Sequence, residues 1–308
     1  MGTPEFAVEA LRAVHRAHQI VGVYTQPDRP VGRGLDLKSS PVKKLALELG
    51  LPVFQPERLS LAGEFEKLHA LRPDVIVVVA FGQILRRNVL DLPPLGCVNI
   101  HSSLLPKWRG AAPIQWAILG GDHESGVTTM KLIEKLDAGD ILLQATTPIS
   151  VSDTAGTLHD RLATMGAELI VPTLNGLASE TLHGKNQDEA LVTYASKLNK
   201  EMEWLDPSKS AADLDRRVRA LNPWPGTSIF LGDGQRIKIK KAKVRPDIEG
   251  PVGSLFNRAG LLLLGTSSGS LELLTLQLEG KKEVDSAGFL NGLKGRNLSL
   301  PLATQAPR

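Results

Sequence analysis

The stretch that decides the fold is DVIVVVAFG, residues 74–82. Five β-branched residues run unbroken from Val75 to Val79, after Pro73 and ahead of Gly82. A strand with one wet face alternates apolar and polar residues. An unbroken run of this length reads as a strand covered on both faces, the mark of a parallel sheet between helical layers. Working outward, apolar runs and helical patterns take turns. QIVGVYTQ (19–26) is a short run stopped by Pro27. SPVKKLALELG (40–50) is helical, with Ser40 as cap, Pro41 at its start and Gly50 as its stop. GCVNIHS (96–102), GVTTMKLIE (126–134) and ILLQATTPI (141–149) read as further strands. A long amphipathic helix starts near Thr154, with Leu158, Leu162, Met165 and Leu169 three or four residues apart. This order predicts an α/β domain with a doubly wound, Rossmann-like parallel sheet over residues 1–180.

Residues 181–203 mix Gly, Asn, Gln and charge, and read as a linker. A second domain is expected over 204–308. It opens with a helix (210–221), is broken by NPWPG (222–226), and continues as short strands between Gly-, Ser- and Asp-rich turns. That pattern predicts a small β-barrel, OB-like in outline.

Composition bounds the rest. The hydrophobic fraction of 42% supports a packed core and speaks against disorder. Cys97 is the only cysteine, so an intrachain disulfide is excluded and a reducing, cytoplasmic setting is expected. No run of 18 apolar residues suggests a membrane span, and the N-terminal residues lack the pattern of a secretory signal. The seven histidines show no paired ligand spacing, so no metal is expected. Residues 204–308 carry 16 Lys and Arg against 10 Asp and Glu, although the whole chain is only +3. A basic second half on a mildly acidic body points toward a polyanionic partner, or to an ordinary solvated surface.

In an open α/β sheet, ligands sit beyond the carboxyl ends of the strands. There, strand 96–102 presents Asn99 and His101, two apart and so on one face. An amide can donate to a carbonyl oxygen that gains charge, and an imidazole can move protons near neutral pH. A carboxylate to fix the state of His101 is offered by KLDAGDI (135–141), through Asp137 or Asp140. Cys97 shares that strand face. It is expected to be a small core residue, since the sequence places no base beside it.

NIHSSLLPKWRGAAPIQWAI (99–118), with Asp137 of LDAGDIL standing 36 residues after His101, resembles the folate-dependent formyltransferases. GTPEFAV (2–8), QPDRPVGRG (26–34), SPVK (40–43), DTAGTLHDRLA (153–163), LVTYASKL (191–198) and NPWPG (222–226) resemble that family in the same order. The resemblance implies transfer of the formyl group of 10-formyltetrahydrofolate, a co-substrate, to the α-amine of methionine on initiator tRNA. It implies a catalytic trio of Asn99, His101 and Asp137. Asn99 and His101 would steady the formyl oxygen while Asp137 orients or charges His101. It also implies a folate-binding segment of Ser103, Leu104, Leu105 and Pro106. For tRNA, Arg33 in Gly32-Arg33-Gly34 is the expected contact in a mobile loop. Lys238 and Lys240 are expected on the basic face of QRIKIKKAKV (235–244), where Ile237 and Ile239 point the other way. The chain is expected to be monomeric. Lys107-Trp108-Arg109 reads equally as a tRNA contact or as packing. Two departures from the family stand out. Its short apolar strand before GTPEF is absent, so the start is expected upstream of Met1. Phe81 and Arg86 stand where the family favours Tyr and Pro. The rival readings are a sister formyltransferase acting on a nucleotide-sugar or ribotide amine, a non-catalytic RNA-binding relict, and a nicotinamide-dependent dehydrogenase. The last lacks a G-x-G-x-x-G after a first strand.

Overall fold

The β-branched run at 75–79 forms a strand, Ile76–Val78, at one end of a four-stranded sheet, and Val79 adds an isolated parallel bridge to Gly2. The computed structural model describes residues 1–31, 36–232, 234–292 and 300–301. It divides the chain into two compact units. The first holds Met1–Pro113, Glu124–Pro148 and His159–Ala195; the second holds Ile114–His123, Ile149–Leu158 and Ser196–Arg308.

In the first unit β1 (Val23–Tyr24) pairs in parallel with β2 (Val53–Phe54), and β3 (Ile76–Val78) pairs in parallel with β4 (Cys97–His101). Met1 and Gly2 bridge these ladders. Gly2 N–H donates to the Tyr24 carbonyl and Val79 N–H to the Met1 carbonyl, both at 2.9 Å. Burial pushes the Met1 amine down to about 5. Beyond β4 the direction changes. β5 (Glu124–Lys131) and β6 (Ile141–Pro148) are antiparallel to their neighbours. The parallel sheet therefore carries an antiparallel edge, as a nine-residue hairpin loop between β5 and β6 allows and a helical crossover would not.

Both faces of the sheet are covered. On one, Ile76, Val78 and Cys97 pack with Leu68 of α3 (Glu64–Ala70) and with Val89 and Leu90 of α4 (Arg87–Leu90). On the other, the long helix α6 (Ala155–Ala178) approaches so closely that a Cβ on Gly166 would lie 2.8 Å from Ile100 Cγ2. Its most buried stripe runs through Leu158, Leu162, Ile170 and Leu174, while Met165 and Leu169 are only half-buried. The helix α2 (Pro41–Glu48) starts as expected, with Lys43 N–H donating to Ser40 Oγ at 3.0 Å. In the chain α1 (Val8–Ala17) precedes it, and α5 (Pro113–Leu119) follows α4.

Residues 181–203, expected as a linker, are instead bound to the first unit as far as Ala195. Lys185 exchanges backbone hydrogen bonds with Ile141, and Tyr194–Ala195 forms a parallel ladder with Arg109–Gly110.

The second unit contains an antiparallel sheet and, among its helices, α7 (Ala211–Ala220) and α8 (Ser286–Gly292). Its strands are β7 (Thr227–Phe230), β8 (Arg236–Arg245), β9 (Ser254–Arg258), β10 (Leu261–Gly265), β11 (Ser270–Leu278), β12 (Glu283–Asp285) and β13 (Leu300–Pro301). They run in the order β7-β8-β11-β10-β9-β13, with β12 on the side of β11. Among the described residues β7 and β13 do not pair. Leu214 and Val218 of α7, Phe289 of α8 and the inward leucines of β10 and β11 share one core. Among the described residues no helix is long and apolar enough to cross a membrane.

Candidate active site

The end of β4 delivers Asn99 and His101 to one place because a strand turns every second side chain to the same face. Both are nearly buried, at 9% and 6% exposed. Cys97, one step earlier on that face, lies under α4. Its Sγ–H faces the Val89 carbonyl at 3.6 Å, and burial pushes the thiol up to about 12.

The Asn99 amide makes no hydrogen bond to protein among the described residues. Its polar atoms are not among those sealed from solvent without a partner, so the amide stays open to a ligand. His101 is held differently. Its Nε2 lies 2.9 Å from the Trp108 carbonyl. A carbonyl only accepts, so Nε2 carries the proton and donates it. The other nitrogen, Nδ1, faces Asp137 Oδ2 at 3.8 Å. That is beyond hydrogen-bond length, so the contact is electrostatic. In this tautomer the Nδ1 lone pair is the free position of the ring.

Asp137 reaches His101 by an unexpected route. Lys131, the last residue of β5, pairs with Val98 rather than with His101. The loop 132–140 thus starts toward the far end of β4 and returns along it. Asp137 lies in this loop with φ 45°, in the left-handed region. Its carboxylate takes a hydrogen bond from Gly110 N–H at 2.8 Å. Gly139 lets the loop close, because a Cβ there would sit 1.8 Å from the Lys131 carbonyl oxygen. Asp140, the other candidate, lies beside Gly184; a Cβ on that glycine would be 2.6 Å from the Asp140 Cβ.

The Lys107-Trp108-Arg109 triplet now has an explanation. Ser103 Oγ–H donates to the Lys107 carbonyl at 2.6 Å, and the Trp108 carbonyl holds His101. Gly110 N–H, next in line, holds Asp137. The segment is itself anchored, since Trp108 N–H donates to Thr193 Oγ1 at 2.9 Å and Arg109 N–H to the Thr193 carbonyl at 2.9 Å. Arg109 is wholly buried, so it packs and does not meet nucleic acid.

Of the segment Ser103–Pro106, Ser103 and Leu105 are buried while Leu104 and Pro106 are only partly buried. Thr128 Oγ1 fixes it to β5 by donating to the Ser103 carbonyl and accepting from Leu105 N–H. Gln144 Nε2 donates to the Leu105 carbonyl at 2.9 Å. Phe81 is core, packed in the cluster with Tyr24 and Leu85. Arg33 lies outside the described residues. Lys238 and Lys240 belong to the second unit, on β8, and both are half-buried. Among the described residues no group of acidic, histidine or cysteine side chains could hold a metal.

On β8 the sequence holds a signal that strict alternation hides. Ile237 and Ile239 are buried, but so, in part, are Ala242 and Val244, one position out of phase. The pairing with β11 shifts register between Ile239 and Lys241 and shifts back between Lys241 and Ala242, a local bulge in the ladder. The bulge leaves Lys241 and Lys243 exposed rather than turned into the core.

Known proteins are similar to the chain across both units. The family described as "Formyl transferase" matches residues 1–174, and "Formyl transferase, C-terminal domain" matches residues 197–294. The chain is 50% identical over 301 residues to the methionyl-tRNA formyltransferase of Methylococcus capsulatus, covering 96% of this chain and 97% of that one. It is 51% identical over 293 residues to that of Pseudomonas paraeruginosa, covering 94% of each. Among solved structures, an N-formyltransferase from Helicobacter canadensis, in complex with folinic acid and dTDP-3-aminofucose, shares the fold. Its TM-score is 0.65 at 19% identity, covering 88% of this chain and 96% of that one. HypX from Aquifex aeolicus, in complex with tetrahydrofolic acid, matches with TM-score 0.58 at 21% identity, covering 81% of this chain and 44% of that one.

Proposed function

The chain belongs to the formyl transferase family, and from that premise we propose that it formylates the α-amine of methionine carried by initiator tRNA, with 10-formyltetrahydrofolate as donor. The observation that carries this reading is the near-full-length identity of about half to methionyl-tRNA formyltransferases, across both units. The reaction forms a bond from the methionine nitrogen to the formyl carbon and breaks the bond from that carbon to the folate nitrogen. One proton leaves the amine and one is gained by the departing folate nitrogen.

Each part of the trio answers one of these needs. Asn99 brings an amide with no hydrogen bond to protein among the described residues, and its N–H₂ is available to the formyl oxygen as charge grows there. Trp108 fixes the His101 tautomer so that the Nδ1 lone pair faces Asp137. A proton arriving at Nδ1 then lies between imidazole and carboxylate, which makes the pair an acceptor for the proton that the amine sheds. The partly exposed apolar surfaces of Leu104 and Pro106, on a segment tied to the sheet, suit a flat aromatic donor. Lys238 and Lys240, with no ion pair among the described residues, are assigned to the tRNA backbone, as is Arg33. The reaction is placed in the cytoplasm, by a monomer of two domains.

The test is formyl transfer from 10-formyltetrahydrofolate to methionyl initiator tRNA, with methionyl elongator tRNA and a dTDP-amino sugar as controls. Transfer confined to the sugar would move the chain to the sister branch. Absence of transfer to any acceptor would defeat the reading.

A further inference from the structure

We infer that Gln187, aimed by Arg109, is a positioning residue for Asp137; this rests on the proposed role of Asp137. Gln187 Nε2 donates to two carbonyls of the 132–140 loop, Asp137 O at 2.7 Å and Gly139 O at 2.8 Å. Its Oε1 accepts from Arg109 Nε at 3.0 Å. That last bond fixes which way the amide faces. With the oxygen turned to a guanidinium, the N–H₂ group must point into the loop.

The loop needs such a clamp. Asp137 has φ 45°, a conformation that costs a non-glycine residue about 1 kcal/mol or more unless its surroundings hold it. Gln187 grips the carbonyls of the two residues that flank Ala138, while Gly110 grips the carboxylate. Arg109 and Gly110 are consecutive, so one turn of chain fixes the Asp137 side chain directly and its backbone through Gln187. Arg109 is committed to this. It is wholly buried, its Nη1 has no partner among the described residues, and its Nη2 donates to Glu189 at 3.1 Å. Arg109, with Lys135 beside it, holds the Glu189 carboxyl below the usual carboxylate range. A guanidinium kept dry with one nitrogen unsatisfied is expensive. Its return is a fixed orientation for Gln187, and through it for the carboxylate 3.8 Å from His101. At that distance a displacement of about 1 Å is enough to cost on the order of 100-fold in rate.

The experiment uses the full chain and compares wild type, Gln187→Leu, Gln187→Glu, Asp137→Asn and the two Gln187 changes combined with Asp137→Asn. Single-turnover rates at excess enzyme and KM for both substrates are read, with the thermal midpoint of each variant. Gln187→Leu is expected to lower the rate roughly 10- to 100-fold, with both KM values within about twofold of wild type. Gln187→Glu keeps the size and the acceptor for Arg109 but brings oxygens to two carbonyls, so it should do no better than Gln187→Leu. In the Asp137→Asn background Gln187→Leu should cost less than about threefold, because residues that act through one group are not additive. Full additivity with Asp137→Asn, or a wild-type rate in Gln187→Glu, would overturn the inference. The two readings fail separately. Near-normal turnover of Asp137→Asn removes the role of Asp137 and the brace with it. Loss in Asp137→Asn with normal rates in both Gln187 variants removes the brace alone.

Discussion

Two basic segments, KWRG at 107–110 and RIKIKKAKVR at 236–245, meet opposite fates. In the first, the charge of Arg109 is turned wholly inward and spent on Gln187 and Glu189. In the second, Arg236 and Arg245 are ion-paired to Glu203 and Glu272, while Lys238, Lys240, Lys241 and Lys243 have no ion pair among the described residues. Charge in a sequence does not say what the charge faces. What separates the segments is backbone context. The first sits in a parallel ladder beneath residues 193–195, and the second alternates on a strand with one apolar face. Buried groups with fixed partners are therefore expected to govern the rate, and exposed ones to govern affinity.

The largest effects should fall on the side chains that the first segment encloses. Asn99→Ala removes the open amide and should lower kcat by about 10²- to 10³-fold. His101→Ala and Asp137→Ala remove the proton acceptor and should lower kcat by about 10²- to 10⁴-fold. KM for tRNA should stay near wild type in all three, and the fold should remain, as thermal melting and steady-state kinetics together would reveal. If tRNA affinity collapsed while kcat held, the division between the segments would be wrong.

Next comes the scaffold. Gly139→Ala places a methyl 1.8 Å from the Lys131 carbonyl oxygen, a backbone atom that cannot step aside alone. Gly110→Ala places one 2.5 Å from the Ala195 carbonyl oxygen, at a residue with φ 124°. Each should cost about 3 kcal/mol of stability or more, seen in denaturant unfolding, and should lower kcat besides. A Gly139→Ala protein of unchanged stability and rate would show that the loop is not pinned.

How much of this was legible beforehand follows from range. The strand at Ile76–Val78, the pair Asn99 and His101, and the Ser40 cap all depend on neighbours within a few residues, and sequence pattern carries such information. The antiparallel turn of β5 and β6 left no local trace, because one apolar run looks alike in either direction. Gln187 sits in a polar stretch, GKNQDE, that reads as a linker, and its partner is 50 residues away in the chain. The burial of Arg109 was hidden for the same reason. The irregularity on β8 was within reach: Ala242 and Val244 fall out of step with Ile237 and Ile239, so a strand that stays on one core must break its alternation between them.

Smaller effects belong to the second segment. Replacing Lys238 and Lys240 together by Ala should weaken tRNA binding modestly. The slope of log affinity against log salt concentration should fall by roughly one for each phosphate that no longer meets a lysine. The rate from bound tRNA should not change. Adding Lys241→Ala and Lys243→Ala should flatten the slope further if the bulge extends one basic face. A salt dependence unmoved by all four changes would return β8 to the status of a guarded edge.

The smallest effect is expected at Cys97, and it sharpens the comparison because desolvation there outweighs the pull of the Met1 amine. Cys97 shares a strand face with Asn99 and His101, yet its thiol points under α4 toward the Val89 and Leu90 carbonyls. Desolvation pushes it up to about 12, from an ordinary value near 9. The folded state thus keeps its proton to higher pH than the unfolded state. The linkage sign follows: this residue contributes no pH dependence below about 9, and it destabilises the fold only as pH rises from there toward 12. At pH 8 the native thiol should resist alkylating reagents that label the unfolded chain within minutes, and Cys97→Ala should keep kcat within about twofold. Rapid labelling of the native protein with loss of turnover would mean that burial alone had been misread as idleness, and the same doubt would then extend to Arg109.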